Sequence, residues 1–157
     1  MAYHSMMISV AEVIDEVSAA KTRKERLAIL AKNNCRALQA CLKANFDDAI
    51  QFVDLGKKID FVADAAPFGH NPSTLHMEHK KFYIFMEGPS RLTTERRRQL
   101  VCQICEALHP DEADIFYACI RKKLKRKGLT KLLVKDAFPG LLSEPVSTES
   151  TPSEATE

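Results

Sequence analysis

The chain has 157 residues, 45% of them hydrophobic and 28% charged, which is the balance of one soluble globular domain able to bury its own core. No apolar run approaches the length of a membrane span, and the opening M-A-Y-H-S-M-M lacks a charged start followed by an apolar stretch, so neither a spanning segment nor a secretory leader is expected, and a cytoplasmic protein is. The formal net charge of +2 conceals an asymmetry: Ser143–Glu157 holds four acids and no base, which leaves 23 basic against 17 acidic side chains in residues 1–142.

The helical signals begin with Ser9-x-x-Glu12, a capping-box pattern that opens a helix to about Ala20 with Val10, Ile14 and Val17 inward. Thr22-x-x-Glu25 is a second such box, and it predicts a helix with Leu27, Leu30 and Ala31 on the inner side. Asn33-Asn34 breaks that helix before Cys35, Leu38, Cys41 and Leu42 resume the pattern. Phe46 to Pro72 reads as a short helix plus a long connection punctuated by Gly56, Pro67, Gly69 and Pro72. Connections of that length inside a domain are often functional. Ser73 to Glu87 is predicted as a helix closed by Gly88-Pro89. Thr93 then caps another that carries Leu100, Val101, Ile104, Cys105 and Leu108 inward and Arg96–Arg98 near its start.

His109-Pro110 ends that element and starts the next, whose acidic first turn (Asp111, Glu112, Asp114) suits the helix dipole. The spacing of Ile115, Phe116, Cys119, Ile120 and Leu124 extends this helix through the basic run Arg121–Lys127, with Gly128 as its stop and Thr130 as the cap of a final helix. Between Arg121 and Lys135 stand eight basic residues and no acid. A density of that kind, without interspersed acids, points to a polyanion rather than to a merely solvated face. The shorter triplet Arg96–Arg98 reads as a solvated helix face.

Other motifs reduce to simpler readings. Cys102-x-x-Cys105 with His109 invites a zinc or redox assignment, but the pair lies mid-helix among apolar neighbours. Packed, reduced thiols account for it and for the odd total of five cysteines. Lys58-Ile59-Asp60-Phe61 lacks the glycine of a nucleotidyltransferase lysine motif. Asp47-Asp48 reads as a helix cap. No glycine-rich phosphate loop or nucleophile elbow appears, so neither a catalytic residue nor a metal or other cofactor is assigned.

Lys21–Leu42 (K-T-R-K-E-R-L-A-I-L-A-K-N-N-C-R-A-L-Q-A-C-L) and Gly128–Leu142 (G-L-T-K-L-L-V-K-D-A-F-P-G-L-L) together resemble the all-helical N-terminal DNA-binding domain of phage-type ATP-dependent DNA ligases. The middle of the chain departs from that pattern, and nothing carries over there. Glu106–Ala113 (E-A-L-H-P-D-E-A), Gly128-Leu129-Thr130 and Ala137–Leu141 make the chain similar to a family of small tailed-phage proteins with no established activity. The ligase resemblance implies a DNA-gripping helical domain without catalytic modules, with Gly128, Thr130, Lys131 and Lys135 near minor-groove phosphates.

The expected architecture is all-α: one bundle of about six to eight helices over residues 8–142, then a disordered acidic tail, 143–157. The expected function is that of a non-enzymatic phage accessory protein in the host cytoplasm. It would bind the backbone of duplex DNA, with RNA as the other nucleic acid this chemistry would take, through Arg121, Lys122, Lys125, Arg126, Lys127, Gly128, Thr130, Lys131 and Lys135. The alternative is a protein-interaction module that docks an acidic surface of host transcription or replication machinery and modulates it.

Overall fold

Hydroxyl caps at Ser9, Thr22, Thr93 and Thr130 start four of the seven α-helices in the computed structural model, which describes residues 8–143. Each oxygen accepts an amide two or three residues on, from Ala11 (3.1 Å), Glu25 (3.2 Å), Arg96 (3.0 Å) and Leu133 (3.1 Å) respectively. Such caps satisfy donors that the first turn leaves orphaned, and each contributes about 1 kcal/mol. In chain order the helices are α1 (Val10–Ala19), α2 (Arg23–Lys32), α3 (Arg36–Phe46), α4 (Leu75–Glu78), α5 (Thr94–Glu106), α6 (Pro110–Ile120) and α7 (Lys131–Ala137). A 3₁₀ helix, His79–Phe85, follows α4 directly. The fold is all-α, and the described residues contain no strand, only isolated antiparallel bridges at Phe52–Met86 and Arg126–Leu129. No helix among them is long and apolar enough to cross a membrane.

Helix α6 is the centre of the bundle, packed against α1, α3, α5 and the 3₁₀ helix, while α2 bridges α1 to α7. Phe116 on α6 is fully buried, stacked on Phe82 (centroids 5.0 Å) and edge-on to Phe85 (5.9 Å). Offset and edge-to-face pairs of this kind add about 0.5–1.5 kcal/mol beyond their area. A fully buried carboxylate on the same helix ties further elements to it. Glu112 accepts from the Leu75 amide (3.0 Å) and the Ser9 hydroxyl (3.3 Å), tying the starts of α1 and α4 to α6, and burial pushes its carboxyl up.

The inward positions of α1 and α3 are where the apolar spacing predicts them: Val10, Ile14, Val17, Leu38, Cys41 and Leu42 are all buried. On α2 only Leu30 is buried. Leu27 is half-buried and Ala31 faces solvent. Three elements depart from the sequence reading. No helix forms between Phe46 and Leu75; that segment is a connection fastened to its surroundings by backbone and side-chain bonds. The helix predicted for Ser73–Glu87 keeps α geometry for one turn only and tightens to 3₁₀ as Phe82 and Phe85 turn into the core. Finally, α6 ends at Ile120, so the basic run is not helical. The acidic tail assigned to 143–157 lies outside the described residues, apart from Ser143.

Candidate nucleic-acid interface

The basic run leaves α6 through a stop that normally calls for glycine. The amide of Lys122 reaches the Cys119 carbonyl (3.0 Å) and that of Lys123 reaches back to Ala118 (2.8 Å), while Lys122 itself sits at φ +53°. Those paired bonds close a helix when the intervening residue is left-handed, and an L-residue other than Gly pays about 1–2 kcal/mol for it. This is why the sequence pattern overran: the residue that turns the chain is a lysine, and the apolar spacing to Leu124 continues past it.

From there the loop is held from beneath. Asn45 on α3 makes two bonds to Leu124, its side-chain amide donating to the Leu124 carbonyl (3.1 Å) and its oxygen accepting the Leu124 amide (3.0 Å). Both groups are buried, as are the Leu124 and Leu129 side chains. The Leu129 amide donates to Arg126 (3.1 Å) and closes a turn around Gly128, at φ +78°. The Arg26 guanidinium lies under that turn: a Cβ on Gly128 would stand 2.4 Å from Arg26 Cζ. Arg26 is itself fixed, donating to the carbonyls of Val17 (3.2 Å) and Ala20 (2.9 Å). Gly128 is thus required, as the sequence suggests, but by a tight turn against Arg26 and not as a helix stop.

The nine residues assigned to the interface do not form one patch. Lys125, Arg126 and Lys127 are exposed on the loop, with Arg121 and Lys123 at its start. Arg121, Lys123, Lys125 and Lys127 have no ion-pair partner among the described residues. Arg126 borders a recess that Asp15, Asp111 and Asp114 also line, so its surroundings are acidic. Lys122 is half-buried, its ammonium donating to the Asp47 carbonyl and lying 6.0 Å from the Phe52 ring centroid; burial pulls its pKa down. Thr130 spends its hydroxyl on the α7 cap, and Lys131 pairs with Asp48, whose carboxyl it holds below the usual range. Lys135 lies one turn further along α7 and is half-exposed.

Beside the loop is a cavity of about 300 Å³. One wall is the connection Gln51–Gly56, and the other is Tyr117, Ile120 and the turn Arg121–Lys123. The Arg121 guanidinium lies 5.1 Å above the Tyr117 ring, and Phe61 meets that ring edge-on at 5.7 Å. Tyr117 Oη accepts the Ile59 amide (2.8 Å), which fixes the ring. The connection wall is fastened too, by Val53 donating to Phe85 (2.8 Å), Glu87 donating to Gln51 (2.8 Å) and Arg98 donating to the Leu55 and Lys57 carbonyls. Arg98 and the buried Arg97, which donates to Ile84 (2.9 Å) and Leu92 (3.2 Å), are therefore structural pins and not a solvated face. Asp47 is the C-cap residue of α3, its amide donating to the Lys43 carbonyl (2.9 Å). Its buried carboxylate accepts from the Ala49 amide (2.9 Å) and from the amide and hydroxyl of Ser143 (3.1 and 3.0 Å).

Residues 13–126, well over half of the chain, match the model of a family of unknown function, DUF6433. The chain belongs to that family. The match takes in α1 from Val13, α2 to α6, both walls of the cavity and the basic loop as far as Arg126, while Gly128 and α7 lie beyond it. No curated protein and no solved structure matches this DUF6433 member.

The cysteines are unpaired thiols. Cys105 is buried, with its pKa pushed up to about 12 by that burial, and Cys102 packs its sulfur 3.7 Å from the Asp60 carbonyl. Cys35 differs: it caps α3, and a hydrogen bond with His76 holds its thiol below the ordinary value. His76 and His79 do not converge, since one bonds to Ile8 O and the other to Leu75 O, each at 3.0 Å. Among the described residues no three His, Cys, Asp or Glu side chains are grouped to hold a metal ion.

Two contributors escape sequence reading. Asn45 holds the loop and Arg26 lies under its turn, both from helices distant in sequence, and no local signal marks them. The Tyr117–Arg121 pair was accessible, because residues four apart on a helix share a face.

Proposed function

We propose that this DUF6433 protein binds the phosphate backbone of duplex nucleic acid, DNA first, through the loop Arg121–Lys127, and does so as a non-enzymatic accessory protein. The observation that carries this reading is the set of four cations, Arg121, Lys123, Lys125 and Lys127, presented on one loop without ion-pair partners among the described residues. Unpaired cations on a pre-ordered backbone are suited to displacing condensed counterions, the main source of sequence-independent affinity. A loop already fastened to Asn45 at Leu124 loses little conformational entropy on binding. Weight shifts away from the α7 end, where Lys131 already has Asp48 as a partner. The likeness of Glu106–Ala113 and Ala137–Leu141 to small tailed-phage proteins supports a phage accessory role.

The test is an electrophoretic shift with a short generic duplex at low salt, comparing the parent with Lys123→Glu/Lys125→Glu. Both side chains are exposed, so the variant should fold normally and lose the shift. A duplex bound equally by both proteins would refute the loop as the contact. Should neither protein bind any duplex while the parent captures an acidic host transcription or replication protein, the docking-module reading takes its place.

A further inference from the structure

The cavity beside the loop has a character that backbone binding does not use. A phosphate-gripping surface needs only cations, yet the Phe52 and Tyr117 rings also line this cavity, with Arg121, Lys122 and Lys123 along one edge. Two aromatic side chains, Phe52 and Tyr117, set in an otherwise mostly polar lining beside a cationic edge complement a ligand that joins a flat ring to an anionic group. At about 300 Å³ it is at the small end of ligand sites, room for a single such unit. The one acid in its lining, Asp54, has an oxygen engaged by the Gly56 amide at 2.8 Å. Lys122, at the edge, holds the left-handed backbone described above, and strained residues of this kind concentrate where a ligand is gripped.

We infer that this cavity receives one unpaired nucleotide of the bound strand, its base against the Tyr117–Phe52 side and its phosphate on Arg121 and Lys123. The inference rests on the backbone-binding reading and sharpens it. The preferred substrate becomes a duplex with a single-stranded end or gap, since an intact duplex would first have to unpair and unstack a base. Arg guanidinium planes and tyrosine rings are the usual platforms for unstacked bases. The Tyr117 ring is held for the purpose by Phe61 and the Ile59 amide.

The experiment compares three probes on the full chain: a blunt duplex, the same duplex with a short overhang, and that overhang made of abasic sugar-phosphate. The overhang should bind at least about fivefold tighter than the blunt duplex, and the abasic overhang should lose that gain. A 2-aminopurine placed in the overhang should change its fluorescence on binding. Equal affinity for blunt and overhang duplexes overturns the inference while leaving backbone binding intact, and so does an abasic overhang that binds as well as the normal one. Adenosine monophosphate that saturates the cavity more tightly than the overhang strand does would move the ligand to a free nucleotide and overturn the strand assignment. If no duplex is bound at all, both readings fall.

Discussion

At the scale of single residues, Gly128 is the sharpest case of a side chain that cannot be added. Its φ of +78° alone would cost an alanine about 1–2 kcal/mol. The Cβ would also drive into Arg26, which cannot swing aside without giving up its bonds to Val17 and Ala20. Gly128→Ala should therefore destabilise the protein by about 2–3 kcal/mol in a denaturant melt. In an Arg26→Ala background the same substitution should cost about 1 kcal/mol less, because only the backbone strain remains. Equal costs in both backgrounds would show that the contact is yielding. Sequence reading located this glycine correctly and gave it the wrong task, since nothing near Gly128 announces an arginine from α2.

At the scale of elements, caps and periodicity were legible and the ends of α6 and α4 were not. Thr22, Thr93 and Thr130 cap as their local patterns suggest, because a cap depends on residues within one turn. The stop of α6 depends on more. Lys122 has no glycine signature, and what secures the chain beyond it is Asn45, 79 positions from Leu124. Asn45→Ala would leave the Leu124 amide and carbonyl without these buried partners and should cost about 2–4 kcal/mol. It should also speed hydrogen exchange at Leu124 and Leu129 ahead of the α1 and α3 amides. Uniform loss of protection across the bundle would mean that the loop is not a separately held unit. The candidate site was legible as composition, in the uninterrupted basic run, and illegible as arrangement. Whether a lysine finds Asp48 or solvent, or an arginine a recess lined by Asp15 and Asp114, is decided by packing between distant segments.

At the scale of the whole molecule, Asp47 gathers the end of α3, the Lys122 turn and the chain at Ser143. Burial raises its pKa, but the bonds from Ala49 and Ser143 and the charge of Lys43 together outweigh that and hold the carboxyl below its usual value. A folded-state pKa below the unfolded one, about 3.9, contributes stability that is present above that value and lost as pH falls through the folded value. Asp47→Asn should accordingly be less stable than the parent at pH 7, with the gap closing below about pH 4 in parallel thermal melts. A gap that persists unchanged into acid would mean the carboxylate charge contributes nothing.

The central claim is that one ordered loop grips phosphates, and the salt dependence of duplex affinity tests it most directly. With four phosphates neutralised by Arg121, Lys123, Lys125 and Lys127, log affinity should fall with log salt at a slope of about −3 to −4 between about 50 and 200 mM. Lys123→Ala/Lys125→Ala should reduce the magnitude of that slope by about two, and the weakening should be uniform across duplex sequences. Affinity that ignores salt over that range, or a slope unchanged in the double variant, would contradict the account.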